Sequence, residues 1–261
     1  MATRLAVRIE GPTGAIPAQA FVDVLRTSLH ILQELDRAGR MAGGRPGTWL
    51  LEDLRIGSAE ATLRRDGPES SGAPERLVDG IRRLREAEEL PQFFSPKLAT
   101  DMARIGRYIG QAGVSGVSYH ALSPGAATRS EAITGEVVAH ARASAEAVEQ
   151  SLGSAVGLLD IVNIRHGYRV SLFDEESRRA VRCQVSPQSL EEVRSALGHR
   201  VRAIGIVTRN RRGQVLRVSA EELECLGDDH PLPSVADLAG VAPWYTGERS
   251  TDEHLRWTRH E

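Results

Sequence analysis

The order of apolar runs between residues 152 and 226 restricts the fold of this chain more than any other feature. β-rich stretches at 154–164, 168–174 and 179–185 precede a helical stretch at 187–197, and two more β-rich stretches follow at 201–208 and 214–219. Side chains alternate as they must on strands with one face inside. Tyr168, Val170 and Leu172 share one face of the second stretch, with Arg169, Ser171 and Phe173 on the other. In the third, Val181, Cys183 and Val185 oppose Ala180, Arg182 and Gln184. The first and fourth are more continuously apolar, as suits strands covered on both faces. His166-Gly167 and Arg212-Gly213 each place a glycine able to take positive φ between β-rich runs. Ser189 with Glu191 and Glu192 reads as a helix start, and Gly198 as the glycine that ends the helix. Three strands, a helix and two strands predict a small closed β-barrel over 152–226.

The runs "GLLDIVNIRHGYRVSLFDEESRRAVRCQV" and "LGHRVRAIGIVTRNRRGQVLRV" resemble the OB-folds of the anticodon-binding and exonuclease VII type. In that group a strand ending in F-x-L-x-D leads to a further strand, a helix and G-x-x-V-x-V-x-G. Ser171-Leu172-Phe173-Asp174 and Gly198 with Val201-Arg202-Ala203-Ile204-Gly205 stand at those places. The resemblance covers little more than a quarter of the chain. It implies an all-β five-stranded Greek-key barrel with one helix, and nucleic-acid binding as the associated activity.

Upstream, residues 1–135 predict an α+β domain. A strand at 5–9 and a turn at 11–14 lead into a long amphipathic helix to about residue 37, with Phe21, Val24, Leu25, Leu29, Leu32 and Leu35 at helical spacing. A hairpin (48–56 and 59–63, turned at 57–58) and helices at 74–89 and 95–112 follow, then a strand at 114–122 and a loop at 123–129. This order fits helices on one side of an antiparallel sheet. The Ala-rich stretch 136–151 is expected to be a helix connecting to the barrel. Trp49 and its strand read as core.

The 261 residues carry a formal net charge of −2, which argues against a generally basic nucleic-acid binder. Positive charge is local instead. Residues 150–226 hold twelve arginines and nine acids, net +3. Arg165 and His166 occupy the first inter-strand loop, and Arg209, Arg211 and Arg212 the last. In an OB-fold those loops flank the ligand face, and Arg169 and Arg182 would extend the groove. Single-stranded nucleic acid held through its phosphates is the expected ligand.

Nothing points to catalysis. The eight histidines lack metal-site spacing. The 153–157 run, Gly-Ser-Ala-Val-Gly, is similar to G-x-S-x-G but sets its serine one position early, and it leads into a strand and does not join a strand to a helix. The acids at 174–176 read as a turn-side cluster. A non-enzyme without cofactor or metal is expected. Cys183 and Cys225 form no disulfide framework. With no long apolar run and no signal-peptide pattern, a cytoplasmic protein that does not engage membranes is expected.

Residues 227–261 are different in kind: three arginines and seven acids, net −4, broken by Pro231 and Pro233. Trp244, Tyr245, Leu255, Arg256, Trp257 and Arg259 are candidate partner contacts, because tryptophan and arginine dominate interface energetics. This tail resembles the "D-L-x-G-x-x-P…G…S-x-E-E-x-L-R-x-x-R" ends of antitoxin-like proteins that pair with PIN-domain nucleases. Asp237, Leu238, Gly240, Pro243, Gly247, Ser250, Glu253, Leu255, Arg256 and Arg259 stand at those places, with Asp252 at the first glutamate and His254 at the free position after the second. The resemblance implies a PIN-like nuclease as partner, with Arg256 and Arg259 as blocking residues. The rival expectation is a structural protein–protein module whose arginines serve solubility.

Overall fold

The structure is a computed structural model that describes residues 3–39, 47–55, 59–67, 72–111, 113–122, 127–164 and 168–227. Two five-stranded sheets and five α-helices form an α+β architecture. The chain divides after Leu226, so that 227–261 is a separate unit.

The first sheet holds β1 (Arg4–Glu10), β2 (Thr48–Arg55), β3 (Glu60–Asp66), β4 (Gly116–Leu122) and β5 (Arg129–Ala132), in the order β2-β3-β1-β4-β5. All neighbours are antiparallel. Strand alternation sends Leu5, Val7, Ile9, Leu63, Val117 and Tyr119 into one core. Helices α1 (Ala18–Ala38), α2 (Ala73–Glu86), α3 (Pro96–Gly106) and α4 (Gly135–Ala145) bring Val24, Ile31, Leu77, Ile81, Leu98, Met102 and Val137 to the same core. Trp49 is buried there too. The fully buried Tyr119 hydroxyl lies 2.8 Å from Ser28 Oγ, and burial pushes its pKa upward.

One charged pair sits inside this layer. Arg65 Nε donates to Asp36 Oδ1 at 2.9 Å, with side chains only 4% and 2% exposed. Arg65 points inward because it continues the unbroken alternation of β3, in which Ala61, Leu63 and Arg65 are buried. Arg64 faces outward and reaches Glu52, as Arg4 does.

The second sheet comprises β6 (Glu149–Asn163), β7 (Arg169–Asp174), β8 (Arg179–Gln184), β9 (Arg200–Arg209) and β10 (Val215–Leu226), with α5 (Leu190–Ala196) between β8 and β9. Its order is β10-β8-β7-β6-β9, and the β9–β10 ladder closes it. Only β8 and β10 run parallel. Its interior contains Leu159, Val170, Leu172, Val181, Cys183, Val201, Ala203, Val207 and Val218, which bears out the alternation expected for β7 and β8. Gly205 is required where β9 crosses the bulge in β10: its φ is +157°, and a Cβ would stand 2.1 Å from Ser219 O.

The structure departs from the expectations in several places: α3 ends at Gly106 and does not reach 112, β10 runs on to Leu226 past 219, and three further differences lie at 129–132, 146–151 and 187–189. The connecting helix ends at Ala145 instead of reaching 151, and β6 starts at Glu149. Pairing with β9 continues without interruption from Glu149↔Arg209 to Leu158↔Arg200, and this ladder overrides the helical propensity of 146–151. Residues 129–132, polar and without apolar alternation, form an edge strand on β4, so the expected loop at 123–129 ends before Arg129. The helix before β9 is entered through a 3₁₀ turn at Pro187–Ser189, capped by Ser186, whose Oγ accepts from Gln188 N–H; Ser189 makes no side-chain cap.

Two measurements test this layout. Arg65→Leu strands Asp36 in the core and is expected to lower stability by about 3–5 kcal/mol in urea unfolding, whereas Arg64→Leu on the exposed face changes it by about 0.5 kcal/mol or less. Burial raises the Cys183 thiol pKa to about 12, while Cys225 is exposed. A thiol reagent at neutral pH should therefore titrate one cysteine in the native protein and two in denaturant.

Candidate functional site

Side chains from all five strands of the closed sheet line up in register across its outer face. Ser171 neighbours Arg182, Arg182 neighbours Arg217, Arg217 neighbours Thr208, and Thr208 neighbours Gln150. The adjacent row runs Arg169, Gln184, Ser219, Ile206 and Leu152. Arg182 and Arg217 therefore stand side by side on paired strands, with Arg169 on the diagonal. Like charges so placed destabilise a sheet unless something neutralises them. Among the described residues no carboxylate pairs with any of the three. The Arg217 guanidinium has one neutral partner, Thr208 Oγ1, at 3.4 Å.

This face forms one wall of a cleft. Opposite it stand Glu34 and Arg37 near the end of α1, and Ser95, Pro96 and Lys97 at the start of α3. Ser95 caps α3, its Oγ accepting from Leu98 N–H at 3.2 Å, so the positive end of the helix faces the cleft. Charges on this second wall are mostly satisfied. Arg37 pairs with Glu34 at 3.0 Å, and Lys97 Nζ donates to Asp101 at 2.9 Å beside His30. The free positive charge of the cleft therefore comes from the three arginines of the closed sheet.

Asp160 supplies the contrasting charge. It sits at a β-bulge in β6, where the register with β7 shifts between Leu159 and Ile161. It is solvent-accessible, yet the surrounding walls desolvate it enough to raise its pKa. The hydrogen bond from Ser171 and the charge of Arg37 act in the opposite direction.

Of the residues expected to bind nucleic acid, Arg169 and Arg182 are brought together. Arg209, Arg211 and Arg212 are placed elsewhere. Their loop closes on itself, with Arg209 Nη1 donating to Gly213 O at 2.8 Å and Asn210 Oδ1 accepting from Arg212 and Gln214 N–H. Its body is docked on the helical layer. Asn210 Nδ2 donates to Ser144 O at 2.8 Å, and Gln214 accepts from Leu90 N–H while donating to Leu90 O. Leu216, at the first bulge of β10, packs into the core of the helical layer next to this clamp. Arg211 and Arg212 are exposed at the loop tip. Arg165 and His166 lie outside the described residues, as do Trp244, Tyr245, Leu255, Arg256, Trp257 and Arg259.

Arg217 was not among the expected residues, although the alternation of its strand places it outward with Ser219. Its pairing with Arg182 depends on the β8–β10 register, which no local pattern encodes. The 153–157 run lies inside β6, with no strand-to-helix turn. Asp174 caps its own turn by accepting from Glu176 N–H and from the Ser177 hydroxyl. Among the described residues no group of three histidine, cysteine or acidic side chains is arranged to hold a metal, and no helix is long and apolar enough to cross a membrane.

No protein-family model, curated protein or solved structure matches this chain.

The Asn210–Gln214 clamp is directly testable. Asn210→Ala leaves Ser144 O and two loop N–H groups without their partner, and should cost about 1–3 kcal/mol in equilibrium unfolding.

Proposed function

We propose that this is a non-enzymatic nucleic-acid-binding protein that holds a single strand by its phosphates in the cleft between the closed sheet and α1 and α3. The observation that carries this reading is the unneutralised row of Arg182 and Arg217 with Arg169 beside it. Three guanidiniums on one solvent-facing surface suit a polyanion with regularly spaced charges. The strand order, the single parallel pair and the helix between β8 and β9 support an OB-fold assignment for residues 149–226. Fold alone does not establish function, so the arginine row bears the weight. The groove lies on the β7-β8-β10 face, away from the β9–β10 loop, whose contacts serve domain docking.

The tail keeps its separate role as a protein-binding segment, with a PIN-like nuclease as the proposed partner and this chain as its antitoxin or accessory subunit. That reading rests on the sequence pattern of 227–261. A purely structural module remains the rival, and the exposed apolar side chains of Val148 and Leu152 favour some protein contact on the outer face.

Fluorescence anisotropy of a labelled single-stranded oligonucleotide across a salt series tests the cleft. The logarithm of affinity should fall linearly with that of salt concentration, and each of Arg169→Ala, Arg182→Ala and Arg217→Ala should flatten the slope by about 0.7. Arg211→Ala and Arg212→Ala should leave it unchanged. Binding that is insensitive to salt, or to all three cleft arginines, would contradict the proposal.

A further inference from the structure

The cleft has a chemically distinct end. Where β6 and β7 meet α1 and α3 it deepens into a cavity of about 400 Å³, bounded by Arg37, Phe93, Leu98, Asp160, Phe173 and Arg182. Two of the chain's four phenylalanines are there, in a protein with 4% aromatic residues. Both are held by arginine: the Arg76 guanidinium lies 4.3 Å from the Phe93 ring centre, and that of Arg178 lies 5.3 Å from Phe173. Phe93 also has a φ of +70°, a costly conformation for a side chain of that bulk. Its N–H donates to Ser177 O in the β7–β8 turn at 3.2 Å, which fixes the ring-bearing residue to the closed sheet. The cavity is thus built from fixed apolar surface, the Asp160 carboxylate, the Glu34–Arg37 pair and the positively charged edge of Arg182.

We infer that this cavity takes one unstacked nucleobase of the bound strand and selects guanine. This rests on the cleft being the nucleic-acid site. A base flanked by phenylalanine loses little on leaving its neighbours in the strand, because aromatic stacking replaces base stacking. Asp160, projected by the β6 bulge and oriented by Ser171, offers two acceptor oxygens. Guanine alone presents two adjacent donors, N1–H and the N2 amino group, on its pairing edge. Adenine and cytosine present one amino donor beside an acceptor nitrogen, and uracil one N–H between two carbonyls that a carboxylate repels. The O6 and N7 acceptors of guanine then face Arg37 and Arg182, the side chains best suited to them. The strand continues along Arg182, Arg217 and Arg169, which hold phosphates and read no base.

The test uses the full-length protein and uridine oligonucleotides of about eight residues whose central position is guanosine, adenosine, cytidine or uridine. The guanosine oligonucleotide should bind about ten-fold more tightly than the all-uridine one. Asp160→Asn should reduce that preference to about two-fold or less without altering the salt dependence, because Asp160 touches no phosphate. Phe93→Gly, which suits the positive φ and so preserves the backbone, should weaken all four ligands with the salt dependence again unchanged. Equal binding of the four by the wild type would overturn the base pocket while leaving the cleft standing. A guanine preference that survives in Asp160→Asn would remove Asp160 from the account. Absence of binding by any oligonucleotide at low salt would overturn both readings together.

Discussion

Gln214 holds the two halves of residues 3–226 together. Its side-chain amide accepts from the N–H of Leu90 and donates to the same residue's carbonyl, so that the start of β10 is bonded to the α2–α3 connection as if to a neighbouring strand. Asn210 extends the bond to α4 through Ser144, and Phe93 adds a backbone bond to the β7–β8 turn. These contacts are polar, directional and in part buried, which makes them intolerant of sliding. Leu216 supplies the accompanying apolar contact. The cleft exists because this clamp holds its two walls at a set separation, so a ligand entering it need not first draw two bodies together.

The adjacency of arginines on paired strands marks the cleft. Several arginines elsewhere are matched locally, Arg4 and Arg64 with Glu52, Arg85 with Glu131, Arg202 with Glu224, and Arg65 with Asp36 inside the core, whereas Arg8, Arg83, Arg142 and Arg200 form no ion pair among the described residues. Arg169, Arg182 and Arg217 share one face and lack carboxylate partners among the described residues, and strand pairing prevents Arg182 and Arg217 from moving apart. Opposed like charges held this way are a standing electrostatic cost that a bound polyanion converts into attraction. Their solvent exposure keeps the resting cost modest, since water screens them.

Legibility from sequence followed the range of the interactions. Period-two alternation located β7, β8 and their inward faces, because strand geometry is local. The long helix α1 was legible from its apolar spacing for the same reason. The start of β6 was not: residues 146–151 look helical in isolation, and only the distant β9 ladder makes them a strand. Strand β5 was hidden by its polar composition, since an edge strand needs no apolar alternation to pair. At the site, Arg169 and Arg182 were visible as outward residues of neighbouring strands. Arg217 became a partner only through the parallel β8–β10 pairing, and Asp160 reached the cavity only through a bulge that breaks the alternation. The loop arginines are conspicuous by their charge, while the hydrogen bonds that dock their loop come from the uncharged Asn210 and Gln214, which no sequence pattern singles out.

The proposed function is spatial: it puts a single strand between the β7-β8-β10 face and the start of α3. Photo-crosslinking tests it most directly, using an oligonucleotide with a photoreactive base at each position in turn and peptide mapping of the adducts. Adducts should concentrate in peptides containing residues 91–98, 168–185 and 214–219. Adducts confined to the exposed arginine tip at 211–212, or spread evenly over the molecule, would contradict the account.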